Sequence, residues 1–133
     1  MTALVDFDRI SAGWEPSRGE FDVIFGGLYE IYLDQRKAPR FCKDIRPMVG
    51  PYLKWCWPSR YIGEEIGALE YFSFSDYPLE EQKELLRATE KYLNDFSANR
   101  VDPNLRWVKE RKARFVDNFV QFLDLMKREL AVG

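Results

Sequence analysis

Histidine is missing from all 133 residues of the chain, which removes the commonest proton shuttle and metal ligand of proteins. Cysteine is scarce as well. Cys42 and Cys56 do not form a C-x-x-C pair, and no histidine can complete a zinc site with them. We expect both thiols to be free and reduced, and we expect no metal or cofactor. These absences favour a binding role over a catalytic one.

Long apolar runs are missing too. No window approaches the ~18 uninterrupted apolar residues of a membrane span, and residues 1–8 have neither the basic start nor the apolar run of a signal peptide. Hydrophobic residues make up 46% of the chain and charged residues 32%, the balance of a folded protein. We therefore expect one cytoplasmic domain over residues 1–133, with no membrane segment.

Aromatic residues are abundant, and the clearest pattern lies in the last third of the chain. Apolar residues recur there every three or four positions, with charged residues between them. Asp102 and Pro103 supply a cap and a first turn, so the sequence predicts a long helix over about 103–130. Its buried stripe should include Phe115, Phe119 and Phe122.

Two further helices have recognisable starts. Pro78 opens a helix that should end near Ser97, with acidic residues in its first turn. Ser17 and Glu20 have capping-box spacing and predict a helix over about 18–36. Gly26-Gly27 falls inside that helix, which is tolerable only if another backbone packs close or the helix bends there.

The middle of the chain contains four prolines, which break residues 38–58 into short pieces. Short helical turns are expected at 41–46 and 51–57, followed by a helix over about 59–72. Phe72-Ser73-Phe74 alternates, so an extended segment there is an open alternative. The predicted fold class is all-α: a compact bundle of about four longer helices and one or two short ones, closed by the aromatic C-terminal helix.

Charge is segregated along the chain although the net charge is only −2. Residues 36–60 hold seven basic residues against Asp44, and residues 63–84 hold seven acidic residues against Lys83. One interpretation is that the two blocks are matched inside the molecule or form two solvated faces. Alternatively, the acidic block forms an outward patch that attracts a basic partner.

An outward acidic patch predicts a cytoplasmic protein-binding domain that docks a basic protein, as an inhibitor or immunity-type protein does. The comparison rests on size and charge alone. The residues expected to contact the partner are all glutamates of the acidic block: Glu64, Glu65, Glu70, Glu80, Glu81 and Glu84.

A second hypothesis rests on residues 36–61, where cations alternate with aromatic residues as in a base-stacking platform for nucleic acid. The candidate contacts are Arg40, Lys43, Lys54, Trp55, Trp57 and Arg60. A pI near 5.3 argues against general phosphate binding. The open alternatives for these aromatic residues are that they fill the core or form a protein interface.

A third hypothesis is a small enzyme that uses carboxylates or thiols. Carboxylate pairs occur without supporting residues, and Cys42 and Cys56 would need a neighbouring cation to lower the thiol pKa. No nucleophile or phosphate-loop motif is present.

Overall fold

The computed structural model of the chain describes residues 4–46, 71–102 and 105–132. Two strands near the N-terminus and one from residues 71–73 form a three-stranded mixed sheet, in the order β2-β1-β3. Strand β1 (Leu4–Phe7) pairs with β2 (Ala12–Trp14) antiparallel and with β3 (Tyr71–Ser73) parallel. The register places Val5 opposite Trp14 and Phe72. The predicted all-α fold is therefore wrong, and the fold is mixed α/β.

The sheet was not predicted because its strands are only three or four residues long. Strand β1 has the alternating burial of a half-buried strand, but its four residues are too few to stand out as a pattern. Its parallel partner lies more than sixty residues further along the chain, and such pairing leaves no local sequence signal. Strand β3 confirms the extended alternative near Phe72. Residues 71–72 of the helix predicted over 59–72 are therefore strand, and residues 59–70 lie outside the described ranges.

The first helix, α1, spans Arg18–Gly27 and has the predicted capping box. Ser17 Oγ accepts a hydrogen bond from Glu20 N at 3.1 Å, and Glu20 Oε1 accepts one from Ser17 N at 3.2 Å. The predicted helix over 18–36 is too long, because Leu28–Tyr32 forms a π-helical turn and Leu33 is extended.

Gly27, at the end of α1, makes a close contact, but with a side-chain ring and not with the backbone that the sequence predicted. A Cβ atom on Gly27 would lie 2.6 Å from ring atoms of Tyr92, so only glycine lets this ring approach the helix. The Tyr92 hydroxyl donates a hydrogen bond to Val23 O at 3.1 Å, and its ring stacks on Tyr32 at 4.8 Å. This contact joins α1 and the π-helical turn to the helix that carries Tyr92.

The remaining helices follow the predictions in part. Residues 39–46 are helical (α2), which confirms the short turn expected at 41–46. Helix α3 (Leu79–Ser97) confirms the helix opened by Pro78, and Asn99 with φ 59° lies just beyond its end. The predicted turn at 51–57 lies outside the described residues.

The predicted C-terminal helix over 103–130 is two helices, α4 (Arg106–Glu110) and α5 (Lys112–Val132). The helical backbone is interrupted at Arg111, which has φ −119° and ψ 33°. Neither glycine nor proline marks this break.

None of the helices in the described ranges is long and apolar enough to cross a membrane.

The core is an aromatic cluster between the sheet, α1 and α5. Trp14 stacks on Phe122 with ring centroids 4.3 Å apart, and the Trp14 indole N–H donates to Asn118 O at 3.0 Å. Phe119 meets Tyr92 edge-on at 5.0 Å. Phe115, Phe119 and Phe122 are 1%, 0% and 0% exposed, which confirms the predicted buried stripe of the C-terminal helix.

Replacing Phe119 with alanine should therefore lower the free energy of unfolding by about 3–5 kcal/mol, through lost burial and a residual cavity. Its neighbour Val120 is 46% exposed, so Val120→Ala should change that free energy by less than about 0.5 kcal/mol. Urea unfolding monitored by circular dichroism measures both values. Equal effects of the two substitutions would contradict the packing described.

Candidate functional site

Two of the predicted contact acids face the interior. Glu81 and Glu84, both in the first half of α3, are each only 4% exposed. Glu81 Oε1 accepts a hydrogen bond from Phe41 N at 2.8 Å, and Glu84 Oε2 accepts one from Asp34 N at 2.8 Å. Both acids therefore bind backbone N–H groups of residues 34–41. Glu81 receives its bond from the first turn of α2, where the helix dipole favours negative charge.

Glu84 is also held by a cation. Arg87 Nε and Nη2 donate to its two oxygens at 2.7 and 2.6 Å, and Arg87 Nη2 also donates to Tyr32 O at 3.0 Å. Burial alone would raise the pKa of Glu84. The hydrogen bonds from Arg87 and Asp34 N, with the charges of Arg87 and Lys37, hold its pKa below the usual carboxyl value.

The acidic surface expected from the sequence is thus not built from Glu81 and Glu84, whose carboxylates are committed inside the fold. Glu80 is exposed and keeps the position that the hypothesis requires. Glu64, Glu65 and Glu70 lie outside the described residues. The internal match between the two charge blocks stays a prediction, because the cation that binds Glu84 is Arg87, which belongs to neither block, and Glu81 binds a backbone N–H.

The basic residues next to these acids face outward. Arg36, Lys37, Arg40 and Lys43 are all exposed. Arg36 forms one loose ion pair, with Asp34 at 3.6 Å, and its side chain remains 94% exposed. The other candidate nucleic-acid contacts, Lys54, Trp55, Trp57 and Arg60, lie outside the described residues.

A groove of about 250 Å³ opens beside these cations. We call it the α2 groove, and it is lined by Tyr29, Gln35, Pro39, Cys42, Lys43 and Arg46. Arg46 Nη1 donates to the Tyr29 hydroxyl at 3.2 Å, which fixes one guanidinium at the wall. Lys43 and Gln35 are exposed. The groove therefore offers cations and an amide to a ligand, which suits an anionic group.

The Cys42 thiol, which lines the α2 groove, is buried. Burial raises the pKa of Cys42 to about 12, and the nearby charges of Glu81, Glu84 and Asp34 add to the effect. A protonated thiol argues against the thiol-based enzyme at this cysteine, while Cys56 lies outside the described residues. Across the described parts of the chain, no three acidic or cysteine side chains converge as metal ligands.

The sequence analysis did not identify Tyr29, Gln35 and Arg46 as groove residues. It also predicted that Glu81 and Glu84 contact a partner at the surface, whereas both are buried. A signal for the acids was present: Glu81, Leu85, Ala88 and Tyr92 follow one another at four- and three-residue steps, so Glu81 extends the apolar stripe of α3. No comparable signal joined Tyr29 to Arg46, because that contact depends on the π-helical turn.

Comparison with known proteins adds no identity: no family model, no curated protein and no solved structure matches the chain.

Replacing Glu81 with alanine should lower the free energy of unfolding by about 1–3 kcal/mol, because the buried Phe41 N–H loses its acceptor. Glu80→Ala is the matched control: it removes another first-turn acid, but an exposed one, and should cost less than about 1 kcal/mol. Chemical denaturation of the two variants tests this. A cost for Glu81→Ala no larger than that of Glu80→Ala would contradict an inward Glu81.

The lowered pKa of Glu84 makes its contribution to stability depend on pH. Its folded pKa lies below the unfolded value, so this stability is present above about pH 4.3, the ordinary glutamate pKa, and is lost as pH falls through the folded pKa. The difference in unfolding free energy between wild type and Glu84→Gln should therefore be largest near neutral pH and shrink in acid. A difference that stays constant from pH 7 to acid would contradict the charged pairing with Arg87.

Proposed function

We propose that the chain is a non-enzymatic domain that binds nucleic acid through the exposed cations of residues 36–46. The observation that carries this proposal is the orientation of charge around α2. Glu81 and Glu84 direct their carboxylates inward to backbone N–H groups, while Arg36, Lys37, Arg40 and Lys43 are exposed. The local surface is therefore more basic than the composition suggests.

A low overall pI is compatible with this proposal. Phosphate binding depends on the local field, which is screened over about 10 Å at ordinary salt. Charges beyond that distance contribute little to it. Within residues 36–46, Asp44 is the one acid, and its carboxylate accepts a hydrogen bond from the Tyr77 hydroxyl at 2.8 Å. The cations therefore dominate this segment.

The α2 groove is the site where we place the nucleic acid. Its lysine and arginine can contact phosphate oxygens, and the Gln35 amide can exchange hydrogen bonds with a base edge. Single-stranded nucleic acid fits best, because a single strand can place a backbone phosphate and an unpaired base in one small groove. The tryptophans that follow in the sequence, Trp55 and Trp57, are the stacking residues this hypothesis expects.

The hypothesis that acidic residues dock a basic protein has less support than nucleic-acid binding. Of its six predicted contact residues, Glu80 is the one that the described ranges place on the surface. The contribution of Glu64, Glu65 and Glu70 stays a prediction.

Fluorescence anisotropy with a labelled single-stranded oligonucleotide tests the proposal. The wild-type chain should bind at low salt, and Arg40→Ala with Lys43→Ala should weaken binding about three- to tenfold. The slope of log affinity against log salt should fall by about 1.4, or 0.7 for each lost phosphate contact.

The matched control removes the same charge elsewhere. Lys127→Ala with Arg128→Ala alters two α5 cations whose side chains are 53% and 57% exposed, and it should leave affinity and slope near wild type. Equal weakening by both double variants would indicate an unspecific effect of net charge. That result, or no wild-type binding at low salt, would overturn the proposal.

A further inference from the structure

A second cationic cleft lies where the start of α1 meets the junction of α4 and α5. Its volume is about 130 Å³, and it is lined by Ser17, Glu20, Trp107, Arg111, Arg114 and Phe115. We call it the junction cleft. It shares no residue with the α2 groove. Its volume accommodates several water molecules or one small ionic group.

The arginines of the junction cleft differ from the other cations nearby. Arg106 Nε binds Glu110 Oε1 at 2.7 Å, Lys109 Nζ lies 3.4 Å from Asp102 Oδ2, and Lys112 donates to Asn99. Arg111 and Arg114 are exposed and form no ion pair within the described ranges. Two guanidinium groups at one cleft are therefore available to an anion.

Glu20, the one acidic residue that lines the junction cleft, already accepts hydrogen bonds from within the fold. Glu20 Oε1 accepts from Ser17 N, and Glu20 Oε2 accepts from Asn118 Nδ2 at 2.5 Å. The residue is 8% exposed, so it takes part in the helix cap and in the contact with α5. Two arginines against one committed carboxylate leave the junction cleft with a surplus positive charge.

The break between α4 and α5 shapes the junction cleft. Trp107 is half-buried, and its indole meets the Phe115 ring edge-on with centroids 6.3 Å apart. The interrupted backbone at Arg111 separates this indole from the first turn of α5, which carries Arg114. The indole thus forms an apolar wall beside the two guanidinium groups.

We propose that the junction cleft binds a phosphate group. A carboxylate has two oxygens, which a single guanidinium fork can satisfy. A phosphate monoester has three free oxygens and a larger charge, so it uses donors from two forks. The pair Arg111 and Arg114 matches the second case. This proposal is independent of nucleic-acid binding at the α2 groove.

The test is a titration of the ¹⁵N-labelled full chain with inorganic phosphate at constant ionic strength. The Trp107 indole N–H signal, assigned from the spectrum of Trp107→Phe, reports on the junction cleft. It should shift and saturate with phosphate, shift less with acetate, and not saturate with chloride. Arg111→Ala with Arg114→Ala should abolish the saturable shift.

The matched control is Arg106→Ala with Lys109→Ala, which removes two cations from α4 that already have acidic partners. Its phosphate affinity should stay within about twofold of wild type, since exposed ion pairs contribute little. A wild-type shift that chloride reproduces would overturn the proposal. So would loss of the shift in both double variants, or a large drop in melting temperature for the Arg111 and Arg114 variant, which would mean that these arginines balance Glu20.

Discussion

Two carboxylates of α3, those of Glu81 and Glu84, hold residues 34–41 against the second half of the molecule. A buried charge is costly unless hydrogen bonds and an opposite charge compensate it. Glu81 obtains a backbone N–H at the start of α2, and Glu84 obtains a backbone N–H together with the paired donors of Arg87. Because Arg87 also donates to Tyr32 O, the same network fixes the end of the π-helical turn. The path of residues 32–41 follows from these bonds.

Aromatic packing supplies the other half of this arrangement. Tyr92 lies further along the buried face of α3 that carries Glu81, packs against Gly27 and stacks on Tyr32. The ring and the carboxylates therefore hold opposite ends of the same segment against α3. Aromatic pairs of this kind contribute about 0.5–1.5 kcal/mol beyond their buried area, and the carboxylates add direction, since each accepts from one particular N–H. Burial brings the segment to α3, and the hydrogen bonds fix its register.

The elements that could be predicted from the sequence are those whose signals are local. Ser17 and Glu20 marked the start of α1, Pro78 marked the start of α3, and the phenylalanine spacing marked the buried face of α5. The sheet could not be predicted in this way, because its strands have three or four residues and β3 pairs across more than sixty positions. The interruption at Arg111 also escaped prediction, since no glycine or proline stands there.

The candidate sites show why charge runs along a sequence are a poor guide to charged surfaces. Helix periodicity, not the number of acids, decides which glutamates of α3 reach solvent: Glu80 faces outward, whereas Glu81 and Glu84 continue the buried stripe. Glu81, which turns inward to a backbone N–H, forms no ion pair with the exposed cations of residues 36–43 in the described ranges. The same rule acts at Glu20, whose commitment to the α1 cap leaves Arg111 and Arg114 without an ion pair in the described ranges. A chain of net charge −2 can thus carry two cationic concavities, because its carboxylates are used as internal hydrogen-bond acceptors.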